Sequence, residues 1–358
     1  MNEEKNKRRF GAKRWLILAL ILAGAWAAYI GPSIFKPVAP MVVLYPEPVW
    51  PGLTLLGVPL TNTMLATLIA DVILVLLAIK AYRFVKSGNL VPSGIYNAFE
   101  AIFDYLWSSV EGATGKWARR VIPLVATIFL LIFVANMIKM IPGFESIGYL
   151  EQPQKGRAYA PVALFNIGSK TLYTIDGGQQ VEYHAEAAAG EAESGEHTAT
   201  PTGEHEMCEA CQIIPFLRGS ATDLNFTLAL AVIAVFMTQV YGTWALGPSY
   251  FEKFFQFRAL ISGGVFGIIN FGVGFLELIL EFAKILSFSF RLFGNIFAGV
   301  LLLSIVGALL PIIIPPGLYL FEIFFGIIQA YVFFLLATMF ISMAVVSHHG
   351  DEHVEEHH

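Results

Sequence analysis

From Leu260 to Leu310 the chain is almost wholly apolar and rich in glycine, and Pro311, Pro315 and Pro316 interrupt it before a second apolar run from Leu318 to Val346. Each run exceeds the roughly 20 residues that an upright helix needs to cross a hydrocarbon core. In water such segments would have no solvated face. The pattern therefore restricts the chain to a membrane and predicts two long, strongly tilted helices forming a hairpin. Composition agrees, with 56% hydrophobic and 14% charged residues among 358, against roughly a quarter charged in soluble domains. The expected fold class is an all-α polytopic membrane protein.

Other segments extend this reading. The basic opening MNEEKNKRRFGAKRW precedes an apolar run from Trp15 to Ile30. That run suits either a signal peptide, with the small-residue sequence AWA at 25–27, or a first transmembrane helix. A retained helix is the favoured reading. A second span is expected from Met64 to Tyr82, with Lys80, Arg83 and Lys86 marking its cytoplasmic end and one acid, Asp71, inside it. In IYNAFEAIFDYLWSSV, Ile95, Phe99, Ile102, Leu106 and Val110 recur at helical spacing opposite Glu100 and Asp104, which predicts an amphipathic helix along the cytoplasmic interface. After Lys116, Arg119 and Arg120, Val121 to Ile141 crosses outward and ends at Pro142–Gly143.

Residues 144–219 lack membrane-length hydrophobicity, and within them Glu182–Glu206 has too little apolar surface to order itself. Leu224 to Leu246 returns inward to a loop carrying Lys253 and Arg258. Counting the first helix, six crossings place both termini in the cytoplasm, and the basic clusters satisfy the positive-inside rule. The chain thus divides into a basic N-terminus with a first helix (1–31), a first membrane region with an interfacial helix (32–143), a polar extracytoplasmic insertion (144–219), a membrane region ending in the hairpin (220–346) and a His- and acid-rich tail (347–358).

Within the hairpin, SFRLFGNIFAG places Arg291 roughly 27 Å of helix before the proline break, too far for its side chain to reach that end. A charge at this depth costs at least about 2.5–3.5 kcal/mol on insertion scales. Arginine does not escape by losing its proton, so a permanent positive charge is the retained feature. A guanidinium within about 4–6 Å of a carboxylic acid lowers that acid's pKa by about 1–3 units, and the same charge repels a proton passing directly. The alternative is a structural arginine paired with one of the chain's own acids.

Neighbouring polar residues refine the picture. Asn295 is one helical turn from Arg291, Glu322 and Gln329 are two turns apart on the next helix, and Glu277 and Glu281 precede Arg291, with Lys284 between Glu281 and the arginine. Acids on both sides of the arginine along the chain suggest two separate aqueous half-paths. Gly294, Ala298 and Gly299 would let another helix approach closely.

RLFGNIFAG followed by IIQAYVFFLLATMFIS resembles the signature hairpin of the subunit a family of F-type ATP synthases. TDLNFTLALAV at Thr222–Val232, PLVATIFLLIFVANMIKMIPG at Pro123–Gly143 and LEFAKILSFSFRLFGN at Leu280–Asn295 resemble family segments in the same order. The resemblance implies a proton-translocating stator subunit of a bacterial plasma membrane, not catalytic by itself. Its partners would be the ring of c subunits, b-type peripheral-stalk subunits, the rest of the synthase and membrane lipid. Arg291 would be the family's essential arginine facing the ring acid. Glu277, Lys284, Asn295 and Gln329 match family positions, and Glu322 falls where relatives carry an acid or a histidine. Val300 falls where many relatives carry His or Glu, which leaves Glu322 as the ionisable candidate for the outer half-channel within the hairpin. Asp71, Asn136, Asp223, Asn225 and Gln239 are the candidate compensating polar groups. H+ is the expected ion.

Other signals point to no cofactor, metal or nucleic acid. HEMCEAC has C-x-x-C spacing at Cys208 and Cys211, yet four zinc ligands are not assembled there, so a local disulfide or two free thiols is expected. The histidines of the tail are interspersed with acids, as in a solvated segment. No phosphate-binding loop of the G-x-x-x-x-G-K-[ST] type occurs. Two other function classes compete: a self-contained secondary transporter with a midplane Arg291–Glu322 site, and a membrane-anchored sensor built on residues 144–219. The first would show two related halves. A single polar hairpin counts against it.

Overall fold

The computed structural model describes residues 4–33, 36, 45–50, 53–55, 57–87, 95–141, 143–151, 156–167, 170–183, 208, 211–254, 264–309 and 314–345. Among the described residues, seven α-helices run in order: α1 Glu4–Tyr29, α2 Asn62–Lys86, α3 Ile95–Thr114, α4 Ala118–Ile138, α5 Leu224–Leu246, α6 Gly264–Leu309 and α7 Ile314–Val345. Among the described residues, five helical stretches are long and apolar enough to cross a membrane: Asn62–Lys86, Asn97–Ile138, Leu224–Phe251, Phe271–Gly307 and Ile314–Val345. The chain is an all-α polytopic membrane protein in its membrane part. The expected sixth crossing is α1, whose apolar portion, Arg14–Trp26, is shorter than the other five.

The chain forms two compact units. One comprises Thr63–Ile141, Gly219–Phe297 and Ile323–His358. In it, α3 buries the face read from its periodicity, with Leu106 and Val110 packed beside Val121 and Val125 of α4. Gly115, at φ 53, makes the break between the two helices in a conformation that favours glycine. Asp223 caps α5: its carboxylate accepts from the Asn225 backbone N–H at 2.9 Å and from the Thr63 hydroxyl at 2.9 Å. Gly247, at φ 70, ends the same helix. α6 and α7 lie antiparallel, with Phe288 against Phe333 at 4.7 Å between ring centroids and Asn295 bonded to Gln329.

The second unit comprises Met1–Asn62, Pro142–Arg218 and Ala298–Glu322. It contains strands that hydropathy did not reveal, one short pair before α2 and the rest in the insertion. β1 Thr54–Leu55 and β2 Val58–Pro59 form one antiparallel pair. β3 Gly148–Glu151 pairs antiparallel with β6 Gln212–Pro215, matching Gly148 to Pro215 and Glu151 to Gln212. β4 Gly156–Ile167 and β5 Lys170–Tyr183 form a long hairpin, from Gly156↔Tyr183 to Ile167↔Lys170. Cys208 and Cys211 form a disulfide, and Cys211 exchanges both backbone hydrogen bonds with Tyr159 of β4. Most of Glu182–Glu206 and all of the His-rich tail lie outside the described residues.

Hydrogen bonds fasten these strands to the segment before α2. The Tyr149 hydroxyl donates to the Pro48 carbonyl at 2.9 Å, Arg218 Nη1 to the Tyr45 carbonyl at 3.1 Å, and Ser33 Oγ to Asp176 Oδ2 at 2.8 Å. Glu47 is buried among them. Burial raises its carboxyl above the ordinary value, an effect that Arg218 opposes and Glu151 reinforces. Because the folded-state pKa is raised, this acid destabilises the fold increasingly as pH rises from its ordinary value through the folded one. Glu47→Gln should therefore match wild type in apparent melting temperature near pH 4 and exceed it at pH 7. A difference that does not change with pH would contradict this account.

Candidate functional site

Arg291 sits on the exposed face of α6, a helix of 46 residues. Its Nη2 donates to Ser287 Oγ, one turn earlier, at 3.3 Å. Leu286 and Phe290 beside it are 52% and 55% exposed. Among the described residues no carboxylate forms an ion pair with Arg291. The opposite face of the helix is locked: Leu292 and Ile296 are buried, Phe288 packs on Phe333 and Phe340, and Ser289 Oγ meets Thr227 Oγ1 at 3.2 Å. Packing on one face therefore sets the direction of the charge on the other.

Toward the C-terminal side of Arg291, Asn295 Nδ2 donates to Gln329 Oε1 at 3.0 Å. Asn136 of α4 joins the same helix pair, its Nδ2 donating to the Gly326 carbonyl at 3.2 Å. Gly326 permits this approach, since a Cβ there would stand 3.2 Å from Asn136 Cβ. Gln329 is buried, and its Nε2 finds no acceptor among the described residues. The structure thus gathers three of the expected polar residues, Asn136, Asn295 and Gln329, into one row.

Toward the N-terminal side lies a second cluster. Glu281 is buried, and its Oε1 accepts from Lys284 Nζ at 2.8 Å and from Lys253 Nζ at 3.5 Å. Lys253 also approaches Glu277 at 3.9 Å and donates to the Tyr250 hydroxyl at 2.8 Å, which in turn donates to Gln239 Oε1 at 2.8 Å. Burial pushes the Lys253 ammonium below its ordinary pKa, while Glu281 and Glu277 oppose that shift. Gly242 makes room for the Tyr250 ring, which a Cβ would overlap. Ten residues separate Glu281 from Arg291, roughly 15 Å along the helix.

The remaining candidates are placed differently. Asp71 is exposed midway along α2 and joins none of these clusters by a hydrogen bond or ion pair among the described residues. Asp223 serves as a helix cap, and Asn225 contributes its backbone N–H while its side chain is exposed. In the other unit Glu322 is buried, with Oε1 3.8 Å from where a Cβ on Gly299 would lie. Glu322 and Glu145 both act electrostatically on the Tyr319 hydroxyl. Sequence reasoning missed Tyr319, Glu145, Tyr250 and the bonding role of Lys253. The i,i+3 spacing of Tyr319 and Glu322 was the available signal for the first. Tyr250 and Lys253 share the same spacing, whereas Lys253 with Glu281 and Glu145 with Tyr319 are pairs distant in sequence.

A family model described as ATP synthase A chain matches residues 64–342, which include every residue of both clusters around Arg291. The chain belongs to that family. It is 28% identical over 305 residues to an ATP synthase subunit a of Mycobacterium ulcerans (strain Agy99), covering 83% of this chain and 90% of the relative. It is 28% identical over 316 residues to the protein of that name from Mycobacterium tuberculosis (strain CDC 1551 / Oshkosh), covering 86% and 92%. A Helicobacter pylori (strain Shi470) ATP synthase subunit a is 27% identical over 266 residues, covering 74% and 82%. Family membership and the five apolar helical stretches make this a multi-pass membrane subunit of an ATP synthase.

Glu281→Gln tests the basic cluster. It removes the charge that Lys253 and Lys284 share, so a loss of about 1.5–3 kcal/mol in stability is expected, the range for a hydrogen bond to a charged group. Thermal unfolding of the detergent-purified chain measures it. An unchanged melting temperature would show that the two amines are held by water instead.

Proposed function

We propose that this chain is the stator subunit a of a bacterial F-type ATP synthase, forming two proton half-channels against a rotating ring of c subunits. The observation that carries the reading is Arg291, a permanent cation on an apolar helix face with no carboxylate paired to it among the described residues. Its partner carboxylate then belongs to another chain, the ring, whose acids pass it one at a time. The pairing that a structural arginine would need within its own chain is absent among the described residues.

In this reading the Arg291 guanidinium favours ionisation of each arriving ring carboxyl and repels a proton that would cross directly. Glu277, Glu281, Lys253 and Gln239 line the half-channel on the cytoplasmic side. Glu322, with Asn295, Gln329 and Asn136, serves the outer one. Asp71, Asp223 and Asn225 supply further polar groups. Each proton crossing releases about 2.3 kcal/mol per 100 mV, which rotation delivers to catalytic subunits elsewhere in the complex. The chain itself is non-catalytic, works with the c-ring and b-type stalk subunits, and lies in the plasma membrane. Both termini are cytoplasmic if α1 spans.

ATP-driven acidification of inverted membrane vesicles containing the assembled complex tests this. Arg291→Ala, at equal incorporation, should abolish pumping, and Glu322→Gln should remove most of it. Undiminished pumping by Arg291→Ala would overturn the proposal.

A further inference from the structure

Away from Arg291 lies a second group of cations that forms no ion pair among the described residues. Lys116, Arg119 and Arg120 lie where α3 turns into α4, all three exposed. The Arg120 guanidinium stands 4.9 Å from the Trp117 ring centroid and 5.3 Å from that of Trp244, near the end of α5. The Tyr241 hydroxyl donates to the Arg120 carbonyl at 2.8 Å, which holds the start of α4 against the end of α5. Two indoles thus orient one guanidinium without consuming its charge.

The surroundings define the ligand. The first-turn N–H groups of α4 add positive potential beside the three cations. Below Trp244 on α5, Val240 and Phe236 continue the same helix row, with Trp244 and Phe236 each 64% exposed. A phosphate-sized group at the cations would therefore have an apolar strip leading from it along a membrane span. Tryptophan and basic side chains favour the headgroup level, and basic pockets between transmembrane helices hold anionic headgroups.

We propose that Lys116, Arg119 and Arg120, with Trp117 and Trp244, bind the phosphodiester headgroup of an anionic phospholipid whose acyl chain lies along Trp244 and Phe236 of α5. The site is independent of the Arg291 reading, since it requires only the membrane fold. A free anion would use the cations alone. The apolar row favours the lipid.

Tryptophan quenching in vesicles tests the site. The full chain is reconstituted into equimolar phosphatidylcholine and phosphatidylglycerol, with brominated acyl chains on one lipid or the other. Wild type should be quenched more strongly by brominated phosphatidylglycerol than by brominated phosphatidylcholine. The double substitution Arg119→Gln with Arg120→Gln should lower that preference roughly thirtyfold, from about 1 kcal/mol for each basic residue near the surface. Lys116→Gln, at an exposed position that makes no hydrogen bond among the described residues, should lower it severalfold without endangering the fold. Arg83→Gln, at the exposed basic end of α2, should leave it unchanged. Full preference in the double and Lys116 variants would overturn the proposal, as would an equal loss in Arg83→Gln. Suppression of the preference by millimolar inorganic phosphate would replace the lipid with a free anion and overturn it too.

Discussion

A guanidinium that cannot be neutralised has to be held on an apolar helix surface, and the rest of the membrane part is arranged around that requirement. The cost is met by rigidity on the opposite face of α6. Leu292 and Ile296 are buried, and Phe288 is wedged between Phe333 and Phe340 of α7. Rotating α6 enough to bury Arg291 would expose these rings and separate Ser289 from Thr227. Apolar packing in such a site supplies direction as well as cohesion.

Along the same helix, polar groups are distributed with different degrees of fixation. The N-terminal cluster is built from charged side chains: Glu281 Oε1 receives two amines and Lys253 links it to Tyr250 and Gln239, while Glu281 Oε2 and Gln239 Nε2 stay unmatched among the described residues. The row formed by Asn136, Asn295 and Gln329 is neutral, joined by single amide contacts and leaving Gln329 Nε2 unmatched among the described residues. An ionised network fixes charges in place, whereas neutral amides can donate or accept with little rearrangement. The two sides of Arg291 are therefore chemically unequal.

Much of this architecture was legible from local pattern. α5 begins and ends where the sequence indicated because Asp223 can cap and Gly247 can adopt a positive φ. The buried face of α3 follows from the spacing of Leu106 and Val110, and α7 starts at Ile314 with Pro315 and Pro316 in its first turn. Arg291 was legible because charge in hydrocarbon is rare. What escaped depends on contacts remote in sequence. Asn295 and Gln329 were each visible on their own helices, yet their bond requires the antiparallel register. Lys253 read as a loop charge until packing brought it to Glu281. The strands of the insertion are short or irregular, with bulges near Pro161 and Ala163, so hydropathy gave them no clear period.

That insertion has a geometric consequence for how the chain can vary. β4 is flanked on one edge by β5, which ends at Tyr183, and on the other by Cys211 at Tyr159. The two ends of the intervening polypeptide are thus fixed two strand spacings apart across the sheet and three residues apart along it, roughly 14 Å. Between anchors so close, doubling the connecting length adds only about 0.6 kcal/mol of closure entropy. A peptide tag or a whole folded module placed between 184 and 207 would load the hairpin and the disulfide that hold its two ends.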